Sequence, residues 1–334
     1  MSRPRILVSL PRAAQRRHIF GPCRERLLSF AQVDWNEEDR RLTEEEKSER
    51  LREADGLITG WGDGPLSEAN IDAAPDLKII CVIGSAVKQY SAYHAIDRGI
   101  VVCNTARAIG DAVAECTIAM MLMMLRDIPA HLDATRSGGW RPDLPRERQK
   151  DLTGRKVGLI GCGAVGFRVV ELLQPFAPDL VVYDPYLPKS VAWQHGFRLV
   201  ELDELLRSCE VISLHAGLTP ETEGMIGRAQ LDLIADDAVL VNTARGGIFD
   251  EQALTDKLAE GRIRAALDVF VKEPLPPDHP LRTMPNVIVA PHMAGASADT
   301  DRRVGEAVVC DTEAFFSGRE PANIVTKDMI RRAT

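Results

Sequence analysis

Short runs of consecutive apolar residues, each followed by a more polar stretch of helical character, recur along almost the whole chain. In the first hundred residues the runs at 6–9, 57–59, 77–83 and 100–103 read as strands, with polar helices such as 43–54 and 91–98 between them. The pattern resumes after Arg155, with strands predicted at 156–160, 180–183, 211–214, 239–242, 265–269 and 287–290. Helices at 164–173 and 250–260 fill two of the gaps. Runs that are apolar throughout, without alternation, belong to strands covered on both faces. Strand–helix alternation of this kind predicts an α/β protein with doubly wound parallel sheets.

Three further stretches carry a pattern of their own. A long helix is expected from about 110 to 136, kinked at Pro129. Its first half is apolar on nearly every side, so another domain or a second subunit must cover it. The dense mixture of charges at 37–53 reads as a solvated helix face. The polar tail at 298–317 reads as a surface helix returning toward the first domain.

At 334 residues the chain can form two domains, each with its own core. A net charge of −8 argues against a nucleic-acid surface. Met1 to Arg5 lead directly into the first strand with no signal-peptide pattern. The most apolar stretch, 112–125, falls short of the roughly 20 residues that cross a bilayer and contains Glu115, so no membrane role is expected. Seven scattered cysteines form no CxxC and no Cys/His cluster, which fits a reducing cytoplasm and no metal site.

The strand at 156–160 runs into Gly161-Cys162-Gly163-Ala164-Val165-Gly166, and the predicted helix starts there. Gly161 permits the tight turn, Gly163 lets the backbone approach a pyrophosphate, and Gly166 lets strand and helix pack closely. A glycine turn alone is weak evidence. Asp184 strengthens it, because it ends the next strand eighteen positions beyond Gly166. A carboxylate there accepts from the adenosine ribose hydroxyls and repels a 2′-phosphate, so NAD is favoured over NADP. Lys189 is the nearby cation that tempers this preference.

Arg245, Glu273 and His292 follow the ends of successive later strands. Ligands of such sheets bind at the carboxyl ends of strands. A guanidinium suits a carboxylate or keto acid because it donates a bidentate pair. A glutamate accepting from one imidazole nitrogen fixes the histidine's tautomer and favours its protonated form, the acid needed for a forming alkoxide. Each residue has an ordinary alternative: surface charge, solvated loop acid, satisfied core histidine. Their joint placement points instead to acid–base chemistry on a small 2-hydroxy or 2-keto acid.

With these segments the chain resembles the D-isomer-specific 2-hydroxyacid dehydrogenases. The resemblance is carried by 112–115, Gly161 to Gly166, Leu214-His215 with 218–222, Asn242 to Gly247, 268–270 with Glu273-Pro274, and 291–295. It implies an NAD-binding Rossmann domain (106–297) inserted in a flavodoxin-like substrate-binding domain (1–105 with 298–334). It further implies that Arg245 binds substrate, His292 is the acid/base and Glu273 its partner. Val165, Asp184, Ala216, Thr243 and Asp268 would contact the cofactor, and a homodimer would form through the NAD-binding domain. Gly84 and Ser85 would hold the substrate carboxylate.

One loop departs from that family. Where its members carry Gly-x-Gly-x-Asp, this chain reads Gly84-Ser85-Ala86-Val87-Lys88. Lys88, or Trp61 in Gly60-Trp61-Gly62, would then shape an unusual substrate pocket. A non-catalytic NADH-sensing scaffold of the same fold is the alternative, and the missing disordered tail tilts against it.

Overall fold

The computed structural model describes residues 3–332. The chain forms two compact units, Met1–Ile109 with Ala296–Thr334, and Gly110–Gly295. Residues 1, 2, 333 and 334, at the outer ends of the first unit, lie outside the described residues.

The first unit holds five parallel strands: β1 (Arg5–Val8), β2 (Gln32–Trp35), β3 (Gly56–Gly60), β4 (Ile79–Ile83) and β5 (Val101–Asn104). Their order, β2-β1-β3-β4-β5, is the flavodoxin-like one. Every residue of β3 and β4 is buried, as expected for central strands covered on both faces. β2 alternates exposed and half-buried positions at the sheet edge, so it lacks the apolar run that marks the others.

The second unit holds β6 (Lys156–Ile160), β7 (Asp179–Tyr183), β8 (Arg198–Leu199), β9 (Val211–Leu214), β10 (Val239–Asn242), β11 (Arg264–Leu267) and β12 (Val287–Val289). Their order, β12-β11-β10-β9-β6-β7-β8, is the Rossmann order with one further strand, and it reverses between β6 and β9. The two-residue edge strand β8 carries no apolar run either. In the helix Ala164–Leu173 the buried positions are Gly166, Val169, Val170 and Leu173, one helical stripe laid on the sheet.

Three expectations are corrected. The apolar helix spans Ala106–Leu125, and at 20 residues it is long and apolar enough by length and composition to cross a bilayer. More than half of that stretch is nonetheless buried within the protein. It stops before Asp127, which takes a left-handed φ of 47°, and a separate helix Ile128–Arg136 follows. Pro129 lies in the first turn of that second helix, where its missing N–H is harmless, so it causes no kink.

The charged stretch near 37–53 is not wholly solvated. Lys47 is buried, donates to the carbonyls of Gly64 and Pro65, and lies 3.1 Å from Asp63 Oδ1. As expected, the helix Ala298–Phe316 belongs to the first unit, where it buries one face, Val304, Val308 and Val309 included. Gly305 permits that approach, since a Cβ there would overlap the His18 carbonyl oxygen.

Candidate active site

The carboxyl edge of the second unit's sheet gathers the chemistry. Gly161 leaves β6 with φ 86°, and a Cβ there would lie 2.6 Å from the Ala216 nitrogen beyond β9. A Cβ on Gly166 would lie 2.8 Å from the Gly161 oxygen, so this glycine sets how closely helix and loop pack. At Gly163 an added Cβ would meet nothing within 4 Å, and this open position caps the helix that Ala164 and Val165 begin. Space over a glycine at a helix N-terminus is what a dinucleotide pyrophosphate requires, so the cradle fits that group.

Asp184 follows β7 and braces this loop. Its Oδ2 accepts from the Cys162 amide at 2.9 Å and its Oδ1 from the Tyr186 amide at 3.0 Å. Each carboxylate oxygen has a second lone pair to offer. His215, at the end of β9, lies with Nε2 2.9 Å from Ser213 Oγ, and burial drives its pKa down to about 3.

Farther along the edge, Asn242 shapes the loop after β10. Its Oδ1 accepts from the Ala244 amide and its Nδ2 donates to the Arg245 carbonyl, both at 3.0 Å. A Cβ on Gly246 would lie 2.1 Å from the Phe270 carbonyl carbon, so the loops after β10 and β11 touch backbone to backbone. Arg245 Nη1 donates to the Ala244 carbonyl at 2.6 Å. Burial lowers its pKa, and the charge of Glu273 opposes that shift.

The loops after β11 and β12 hold the acid–base pair. Glu273 Oε2 lies 2.6 Å from His292 Nδ1, while its Oε1 accepts from the Phe270 amide at 3.0 Å. His292 takes a left-handed φ of 53°. Asp268 supports that turn: its carbonyl accepts from the His292 amide, and its carboxylate accepts from Met293 (2.7 Å) and Ala294 (2.9 Å). Burial raises the Asp268 pKa, against the pull of those two amides and of His292. This anchoring of the turn is a role that sequence reasoning missed. Glu251 was missed as well; its Oε2 accepts from the Val271 amide at 2.8 Å and steadies the Glu273 loop.

Residues 118–294 match the NAD-binding domain model of the D-isomer specific 2-hydroxyacid dehydrogenases. The chain belongs to that family. It is 38% identical over 286 residues to a D-3-phosphoglycerate dehydrogenase of Methanocaldococcus jannaschii, covering 85% of this chain and 54% of the relative. The chain therefore spans about half the length of the phosphoglycerate dehydrogenases it matches. It is 32% identical over 339 residues to a glyoxylate reductase of Aeropyrum pernix, with 99% and 98% covered. The solved TT0316 protein of Thermus thermophilus superposes with a TM-score of 0.74 at 33% identity, over 96% of this chain and 100% of that one.

The first unit is where the chain departs from the family pattern. The Gly84 amide donates to Thr105 Oγ1 at 2.8 Å. Ser85 follows, its carbonyl accepting from Asn104 Nδ2 at 2.9 Å. Lys88 is exposed at the start of a short 3₁₀ turn. Trp61 covers Gly84: a Cβ on that glycine would lie 3.1 Å from the indole nitrogen. The indole is 40% exposed and rests tilted against the buried His18, ring centres 5.9 Å apart.

Proposed function

We propose that this protein is an NAD(H)-dependent oxidoreductase interconverting a small D-2-hydroxy acid and its 2-keto acid. The Glu273–His292 pair, on the same sheet edge as the glycine cradle, carries the reading. Gly161, Gly163, Ala164, Val165 and Gly166 would hold the pyrophosphate, and Asp184 the adenosine ribose. Ala216, Thr243 and Asp268 would face the nicotinamide half. When bound, that cofactor exchanges a hydride with the substrate's C2.

The residues of this chain move the proton and hold the substrate. Glu273 accepts from Nδ1–H of His292, which leaves Nε2 to pass a proton to the C2 oxygen in reduction and to take it back in oxidation. Arg245 would bind the carboxylate and draw charge from the keto oxygen.

His292→Asn tests this reading. Turnover of a 2-keto acid that the wild type reduces should fall by about 10²- to 10⁴-fold, with the NADH dissociation constant unchanged. Near-normal turnover removes His292 from the mechanism. If the wild type binds NADH tightly but reduces none of a graded panel of 2-keto acids, the sensing scaffold is the better reading.

The same proposal includes a preference for NAD over NADP through Asp184, and pairing of two copies through the helices Ala106–Leu125 and Ile128–Arg136. It also includes a cytoplasmic site of action, supported by seven cysteines that all remain free thiols.

A further inference from the structure

Thr117 lies in the middle of the helix Ala106–Leu125, fully buried, and its hydroxyl has two neighbours. Thr117 Oγ1 is 2.7 Å from the Val113 carbonyl oxygen and 2.8 Å from Thr243 Oγ1. A carbonyl only accepts, and a hydroxyl has one proton to give. Both contacts are hydrogen bonds in one arrangement only. Thr117 donates to Val113, and Thr243 donates to Thr117. The Thr243 hydroxyl is then left with lone pairs alone on its remaining side.

The place of Thr243 gives that polarity a use. Along the sheet edge the order runs from Asp184 after β7, through the glycine loop after β6, to Ala216 after β9 and Thr243 after β10. Strands lie about 4.8 Å apart, so Thr243 stands roughly 10 Å from the pyrophosphate cradle, on the side away from Asp184 and toward His292. A dinucleotide with its adenosine at Asp184 brings its nicotinamide there. The nicotinamide carboxamide carries an NH₂ group, which needs an acceptor.

We propose that Thr117 is a positioning residue that fixes the Thr243 hydroxyl as an acceptor for the nicotinamide carboxamide. The inference rests on the reading above that Thr243 faces the cofactor. Thr117 itself touches no cofactor. It acts by taking the one proton that would otherwise let Thr243 present a donor to another donor.

The test compares NADH with ADP-ribose, which lacks the nicotinamide, on the full chain. NADH affinity is read from its fluorescence and ADP-ribose affinity by displacement. Thr117→Val should weaken NADH about 5-fold, the worth of one ordinary hydrogen bond, and leave ADP-ribose unchanged. Thr117→Ala, which adds no bulk, should give the same selective loss, and Thr117→Ser should restore wild-type affinity. Thr243→Val should weaken NADH selectively too, and adding Thr117→Val to it should produce no further loss.

Equal weakening of NADH and ADP-ribose in both Thr117→Val and Thr117→Ala would make Thr117 a packing residue and overturn the proposal. Unchanged NADH affinity in those variants, with Thr243→Val still impaired, would overturn it while leaving Thr243 at the cofactor. An unimpaired Thr243→Val would remove Thr243 from the cofactor and the proposal with it.

Discussion

His215 couples the fold to pH. Its Nδ1 is shut off from solvent and has no hydrogen-bond partner among the described residues, and burial lowers its pKa to about 3. In the unfolded chain a histidine titrates near 6.5, so below that pH the unfolded state takes up a proton that the folded state refuses. Stability tied to His215 is therefore complete above about pH 6.5 and declines as the pH falls toward 3, by at most about 1.4 kcal/mol per pH unit. The buried His18, whose pKa burial also lowers, acts in the same direction. His215→Gln should show a flatter loss of urea midpoint between pH 7 and pH 5 than the wild type, and identical slopes would refute the assignment. Residues of this kind differ in how legible they are. Glu273 and His292 stand out in the sequence because each follows an apolar strand run. Thr117 leaves no trace, since one threonine in an apolar helix reads the same whether or not its hydroxyl directs a neighbour.

At the scale of elements, one buried arginine terminates the apolar helix. Arg264 begins β11 fully buried and donates through Nη1 to the Met124 carbonyl in the last turn of Ala106–Leu125. The same nitrogen lies 3.3 Å from Asp127 Oδ2, in the break between the two helices. The Met124 carbonyl also accepts from the Asp127 amide at 3.3 Å, and a guanidinium that donates to the same carbonyl and faces a buried carboxylate holds the chain where it turns. Arg264→Met should cost about 3 to 5 kcal/mol, because it leaves Asp127 buried with Arg148 as its one remaining cationic neighbour among the described residues. Adding Asp127→Asn should recover part of that loss in urea unfolding; a loss well under 1 kcal/mol in the single variant would show that the pair is not a brace. The break is hard to read in the sequence because proline is the conspicuous helix breaker, while the deciding residue is an aspartate held by a partner distant in the chain. Strands follow the opposite rule. β6, β9 and β10 match their apolar runs residue for residue, whereas the edge strands β2 and β8 are half-exposed or two residues long and leave no such signal.

For the whole molecule, the fold class is legible because parallel sheets bury both faces and so write their strands as unbroken apolar runs. Strand order is not written that way; it comes with the motif resemblance, since any of several orders would bury the same runs. The unused apolar surface poses the remaining question at this scale. The helix Ala106–Leu125 is apolar nearly all round, yet only 56% of its apolar stretch is buried within the chain. Beside it in sequence, Ile128 and Leu132 lie four residues apart on one face of Ile128–Arg136, and both are exposed, as is Trp140 beyond. A face of this kind is covered in a homodimer, whose stable interfaces bury about 1,600 Å² in total. Sedimentation equilibrium should then give twice the 36.8 kDa chain mass for the wild type. Leu132→Asp, which sets a charge in that exposed face, should shift the protein toward single chains while ADP-ribose still binds. A wild type that sediments as one chain at micromolar concentration would leave this face without a second copy to cover it.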